Sequence, residues 1–251
     1  MADRFVRLSE RALLPAAAAQ MTMPILPLLG VGTPLWSGTE LGAMAAPETL
    51  PPMAFALLAP VFIGGLVLAG RAQRRSEPGL SQAALPLLAL MCMITLWIAL
   101  SQAGAGPAIT YSALLGLVIA GFAAAKACIH LPWAGALTAL MAGWLCVVFA
   151  SETAVLARGL FGLQATDAPW QILFLTWAAA FGAATVLRMQ FSASGWALAG
   201  LAWGLASLVV HIWATAELNA PAVVFAALSI FGLCALWTFS PPAPCLDRQM
   251  P

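Results

Sequence analysis

The sequence predicts an all-α fold: a polytopic transmembrane bundle of about eight spanning helices, with both termini on the cytoplasmic side. Three observations predict it. The chain is 63% hydrophobic and 8% charged, against about 25% charged residues in a soluble domain, so it cannot cover a water-facing surface. Apolar stretches recur near 12–32, 53–70, 83–102, 108–125, 132–156, 169–187, 192–214 and 220–239, each close to the roughly 20 residues that cross the hydrocarbon core. Finally, threading eight spans from an inside N-terminus places nine of the ten basic residues inside, as the positive-inside rule requires. These are Arg4, Arg7, Arg11, Arg71, Arg74, Arg75, Lys126, Arg188 and Arg248; Arg158 falls outside.

The spans and short connections use nearly all of residues 1–251 as one integral membrane domain, leaving no room for a soluble catalytic domain. Span one is interrupted by Pro15, Pro24 and Pro27, which membrane helices tolerate when neighbours re-satisfy the backbone. Arg4, Arg7 and Arg11 ahead of Ala16–Ala19 resemble a secretory signal, but Leu13, Leu14 and Pro15 are too short an apolar core for one. A retained first helix is expected. A loop with Glu40 and Glu48 leads to span two, and the cluster Arg71, Arg74, Arg75 follows it. Only residues 103–107 separate spans three and four, so those helices are expected to be antiparallel neighbours. Span five is the longest and is expected to tilt or to extend past the bilayer. The outer side also holds Glu152, Asp167 and Glu217. Cys92, Cys128, Cys146, Cys234 and Cys245 form no CxxC pair and read as unpaired small hydrophobes.

The ten tryptophans divide by depth. Trp36, Trp133, Trp170, Trp196, Trp213 and Trp237 fall near span ends, where Trp prefers the headgroup level. Trp97, Trp144 and Trp203 fall deeper, with Trp177 between the two groups. A buried indole wants a partner for its N–H, so the deep set reads either as helix packing or as the wall of an aromatic ligand pocket. On span seven, Gly200 and Gly204 make a GxxxG spacing that lets another helix approach closely. Trp203, Ser207 and His211 follow at i, i+4 spacing on one face. That stripe either lines a cavity or hydrogen-bonds across a helix interface.

Ionisable groups inside a membrane are costly and often functional. Lys126, His130 and Arg188 read as interfacial anchors, and Glu152 is the one intramembrane carboxylate singled out. His130 and His211 fall at opposite surfaces, which argues against a shared metal or haem. No phosphate-binding loop, nucleophile elbow or HExxH helix is present, so no catalytic residues and no metal ligands are expected, and near-neutral charge gives no surface for nucleic acid.

Pro51 and Pro52 followed by Phe55, then Trp97, the pair Pro132–Trp133, the pair Gly143–Trp144, and Trp203 occur in this order. The arrangement resembles the tryptophan-rich sensory protein, or translocator protein, family over residues 48–215. Leu57 and Leu58, Ile94 and Glu152 stand where that family commonly carries Trp, Asn and Asn. The resemblance implies a longer, bacterial-type member with helices beyond a five-helix core, residing in the cytoplasmic (inner) membrane. It also implies an aromatic pocket built on Phe55, Trp97, Trp144 and Glu152, with Trp203 close by, and a bound porphyrin or lipid. Three function classes follow. The first is a binding or sensory protein for a hydrophobic or tetrapyrrole-like small molecule. The others are a transporter of a hydrophobic small molecule and a structural or assembly subunit. Membrane lipids are expected partners in each, and a homodimer or membrane-complex partners fit the small-residue faces.

Overall fold

A computed structural model of the chain describes residues 2–32, 46–74, 78–164, 166–191, 195–215 and 220–238. Eight α-helices follow in order: α1 (Ala2–Thr22), α2 (Leu58–Arg74), α3 (Pro78–Gln102), α4 (Pro107–Ala127), α5 (Pro132–Phe161), α6 (Pro169–Phe191), α7 (Gly195–Thr215) and α8 (Ala220–Thr238). Among the described residues there is no strand, and all eight helices, α1 and α2 together with the 3-10 segments that adjoin them, are long and apolar enough to cross a membrane. Trp36, Glu40, Arg75, Glu217, Cys245 and Arg248 lie outside the described residues, as do the side chains of Arg4 and Arg188.

Prolines mark the helix starts. Pro107 and Pro132 occupy the first turns of α4 and α5, where the missing N–H has no intrahelical partner to lose. α1 runs through Pro15 and then tightens into a 3-10 segment, Met23–Leu29, over Pro24 and Pro27. Gly30, at φ 78°, ends that segment with its N–H on the Pro27 carbonyl. The amide of Gln102, at the end of α3, donates to the Met23 carbonyl at 3.0 Å, so the irregular stretch gains a backbone partner from a neighbouring helix. The first apolar span therefore runs Arg7–Leu29, beginning earlier than 12–32 because the helix already contains Arg7 and Arg11.

The contacts give an up-and-down order. Ser81 bonds Glu10 at the start of α1 and α3, and Gln102 meets Met23 where both end. Tyr111, early in α4, meets Thr153, late in α5, at 2.9 Å. Phe174 and Phe225 pair early in α6 and α8. One end of the bundle thus carries Arg7, Arg11, Arg71, Arg74 and Lys126, all exposed. The opposite end carries Arg158, which is buried.

α5 is the hub. It packs against α4, α6 and α7 and also touches α2; 67% of its spanning window is buried, against 22% for α8. The closest approach is between α5 and α7, and glycine makes it possible on both sides. A Cβ at Gly143 would stand 1.9 Å from the Ala197 carbonyl oxygen, and one at Gly200 would stand 1.9 Å from that of Leu140. Gly204 lies against Val147, where a Cβ would come within 2.8 Å. With no hydrophobic force between helices in lipid, this backbone contact supplies the packing that association needs. Ser207 is buried, yet its hydroxyl donates to the Trp203 carbonyl of its own helix at 2.8 Å, not across an interface. His211 is half-buried near the end of α7.

Exposure separates most of the tryptophans by depth. Trp133, Trp196, Trp213 and Trp237, at span ends, are more than half exposed, whereas Trp97 and Trp144 are 3% and 0% exposed. Two depart from the division: Trp170, at a span end, is half-buried against the core, and Trp203, deep in its span, is exposed. Trp177 is half-buried and packs on Phe181 with ring centroids 4.6 Å apart.

Gly143→Val is expected to destabilise the bundle by about 3 kcal/mol, since overpacking against a backbone carbonyl has no soft side chain to yield. Gly182→Ala, where an added Cβ meets nothing within 4 Å, should stay within about 1 kcal/mol of the parent. Thermal unfolding in detergent checks both; equal shifts for the two would contradict the close crossing.

Candidate functional site: an aromatic cluster under a latched plug

The end of the bundle opposite the exposed arginines is closed by residues 46–57. Pro51 is extended, and Pro52 starts a 3-10 segment, Pro52–Leu57. Leu50, Ala54 and Leu57 turn inward and are buried. This plug is tied down by Glu48, which is wholly buried although it carries a carboxylate. Its carboxylate pairs with the Arg158 guanidinium through Nε and, at 3.4 Å, through Nη2. The Glu48 carbonyl accepts the Ser151 hydroxyl. Arg158 Nη1 donates to the carbonyls of Gln164 and Asp167 at 2.6 and 2.8 Å. One guanidinium therefore joins the plug, α5 and the connection to α6. A buried charge pair is tolerable only when its remaining donors are also satisfied, and here each guanidinium nitrogen has an acceptor.

The plug brings its aromatic residue to the centre. Phe55 stacks on Trp97 of α3 with ring centroids 6.2 Å apart and an interplanar angle of 27°. It meets Trp144 of α5 edge-on, at 6.0 Å and 79°. Trp203 of α7 donates its indole N–H to the Ala54 carbonyl at 3.2 Å, although its ring is 38% exposed. Three tryptophans from three helices thus hold one short segment. Each aromatic pair contributes about 0.5–1.5 kcal/mol beyond area burial. The Trp144 N–H is buried without a hydrogen-bond partner, and so is that of Trp177.

Four of the five residues expected at the site are therefore neighbours through the plug: Phe55, Trp97, Trp144 and Trp203. Glu152 takes no part in the ring contacts and hydrogen bonds that hold Phe55 and Ala54. It is half-buried on α5, between Ser151 and Thr153. The carboxylate that the fold uses is Glu48. A lone arginine on the wrong side of the charge rule, with a glutamate on the same side in the connection before α2, was the signal for it. Gly200 and Gly204 belong to the α5–α7 crossing and Ser207 to the interior of α7.

The described cavities lie beside the aromatic cluster, not inside it. The larger, about 240 Å³, is a groove between the end of α1 and the start of α2. Met21 and Pro24 form one wall, and Phe55, Leu58, Phe62 and Ile63 form the other. Ile63 is 56% exposed, so the groove faces the hydrocarbon around the bundle. Phe55 belongs to both structures: it lines the groove, and its ring packs on Trp97 and Trp144. Trp97, Trp144, Glu152 and Trp203 do not line the groove. Among the described residues no three His, Cys, Asp or Glu side chains are grouped to hold a metal ion.

Arg158→Met should cost about 3–5 kcal/mol, because it leaves the Glu48 charge buried and alone. The double variant Arg158→Met with Glu48→Gln should recover much of that loss. Denaturation midpoints of the two single variants and the double variant in one detergent check this; additive losses would show that the pair does not act as a unit.

No protein-family model, curated protein or solved structure matches the chain.

Proposed function

We propose that this chain is a membrane-embedded binding or sensory protein for a hydrophobic small molecule, which enters the groove between α1 and α2 from the lipid and is felt through Phe55. The observation that carries the reading is the double placement of Phe55, at once a wall of the groove and the contact between Trp97 and Trp144. A molecule pressing on that ring changes the surroundings of two deeply buried indoles. Ligand sites are concave and mostly apolar, and this one is lined by side chains without charge. Its volume, about 240 Å³, lies below the 300–1,000 Å³ usual for drug-sized ligands. The groove thus suits a single acyl chain or a compact lipid better than the porphyrin that the family resemblance implies; a tetrapyrrole needs the walls to part.

A variant with Trp133, Trp196, Trp213 and Trp237 replaced by Phe removes much of the exposed indole emission. In nanodiscs, a brominated fatty acid is expected to quench the remaining fluorescence saturably, and Ala59→Leu, which narrows the groove without adding an indole, should weaken that binding about tenfold. Quenching that rises linearly without saturation sinks the proposal. So does saturable protoporphyrin binding that ignores Ala59→Leu while the fatty acid fails to bind.

The same reading places both termini in the cytoplasm of a bacterial inner membrane. What supports it is that Arg7, Arg11, Arg71, Arg74 and Lys126 are exposed at one end, while Arg158 at the other is buried against Glu48. The exception to the charge rule is thus a neutralised group. A cysteine at His130 should react with a membrane-impermeant maleimide only from the cytoplasmic side, and one at Gly104 only from the opposite side. Both are made in a background with Cys92, Cys146, Cys234 and Cys245 replaced by Ala, and Cys128 does not interfere. Burial pushes its thiol up to about 12, a hydrogen bond with Thr138 offsetting part of the rise, so it stays protonated and unreactive at pH 7–8. The reverse labelling pattern would invert the topology.

A further inference from the structure

A second, much smaller space lies deeper in the bundle, where α1, α2, α3 and α5 meet. It is about 20 Å³, lined by Gln20, Gly65, Met91, Ile94, Leu137 and Thr138 among others. Two of its lining residues are polar, Gln20 and Thr138, and the others are apolar or glycine. Both residues are deeply buried, Gln20 at 2% and Thr138 at 3% exposure. A primary amide in such surroundings is costly unless it is hydrogen-bonded, and none of the hydrogen bonds given for the described residues engages that of Gln20. Thr138 donates to the Ala134 carbonyl at 2.7 Å and its hydroxyl also meets the Cys128 thiol; the oxygen has two lone pairs, so one remains to accept from a water. The space persists because position 65 is glycine. A Cβ there would lie 3.2 Å from the Met91 methyl and 3.8 Å from Gln20 Oε1, and so would intrude on the chamber.

We propose that this chamber is a binding site for one structural water, which accepts an N–H from Gln20 and donates to the Thr138 oxygen. Empty cavities in proteins are lined by apolar groups, and about 10–15 Å³ of probe-sized space suffices for a water with two or more polar partners. The chamber meets both conditions and is too small for an acyl chain. It sits on the inward side of the α1–α2 contact, against Gln20, Val61 and Gly65, whereas the groove uses the adjacent Met21 and Phe62 on the outward side. The water and the hydrophobic ligand are therefore separate occupants, and either can fail without the other. The water joins α1 to the α5 hub by a polar link that the two side chains do not make directly. It also gives a physical reason for a buried glutamine in the apolar second half of α1.

The test is magnetisation transfer from water to side-chain amide protons in the full-length protein, labelled with ¹⁵N-glutamine, in nanodiscs. The Gln20 resonance is assigned as the one lost in Gln20→Leu. It is expected to show a cross-peak to a long-lived water. Thr138→Val should reduce that cross-peak at least about twofold, and Thr138→Ser, which keeps the hydroxyl, should retain it. Gly65→Ala, by narrowing the chamber, should weaken it as well. A Gln20 amide that contacts only aliphatic protons in the parent protein overturns the proposal, and so does a cross-peak of unchanged intensity in Thr138→Val. If Thr138→Val fails to fold, the parent and Thr138→Ser spectra still decide: a water signal in both upholds the site, and its absence from the parent removes it.

Discussion

The pair Glu48–Arg158 is the constraint on which the rest of the site depends. Glu48 is fully buried and Arg158 nearly so, so each charge is tenable only while the other is present. The guanidinium sits near the end of the most buried helix and draws in acceptors from two flanking connections. Because Glu48 must meet Arg158, the chain entering α2 has to fold inward over the bundle. Ala54 and Phe55 follow a few residues later and are thereby delivered to Trp203, Trp97 and Trp144. The electrostatic tie fixes where the plug lies, and the aromatic contacts fix which way its ring faces.

Most of the helical architecture was legible because lipid imposes it. A span must be long, apolar and internally hydrogen-bonded, and those demands are written residue by residue. The boundaries shifted where a polar residue continues a helix past the apolar stretch, as Arg7 and Arg11 do in α1 and Arg74 does in α2. Hydropathy marks the membrane core, not the hydrogen-bonded ends of the helix. The glycine spacing on α7 was visible, but its counterpart Gly143 on α5 was seen only beside Trp144, as part of a motif, because sequence spacing does not say which two helices cross.

The site was less legible, for a related reason. Depth along each span brought Trp97, Trp144 and Trp203 into one list, and Phe55 joined them through the prolines ahead of it. Depth says nothing of azimuth, however, so it could not separate a ring packed in the core from a ring that lines a cavity. The groove is formed by Met21, Pro24 and Phe62 together with Phe55, ordinary apolar residues with no signature of their own. Glu152 drew attention as a carboxylate within a span, whereas the buried carboxylate proved to be Glu48 in the connection before α2. Burial there is created by the plug folding back, a tertiary event that no local pattern records.

The groove opens sideways, past the exposed Ile63, on the flank of the bundle. On the proposed reading its occupant would arrive by two-dimensional diffusion from a solvent that is itself the competitor, since every neighbouring acyl chain presents the same chemistry. The quantity governing occupancy would then be the mole fraction of ligand among the surrounding lipids, and dilution with buffer would leave it unchanged. A site placed this way would answer to the make-up of the bilayer and not to the concentration of anything in solution.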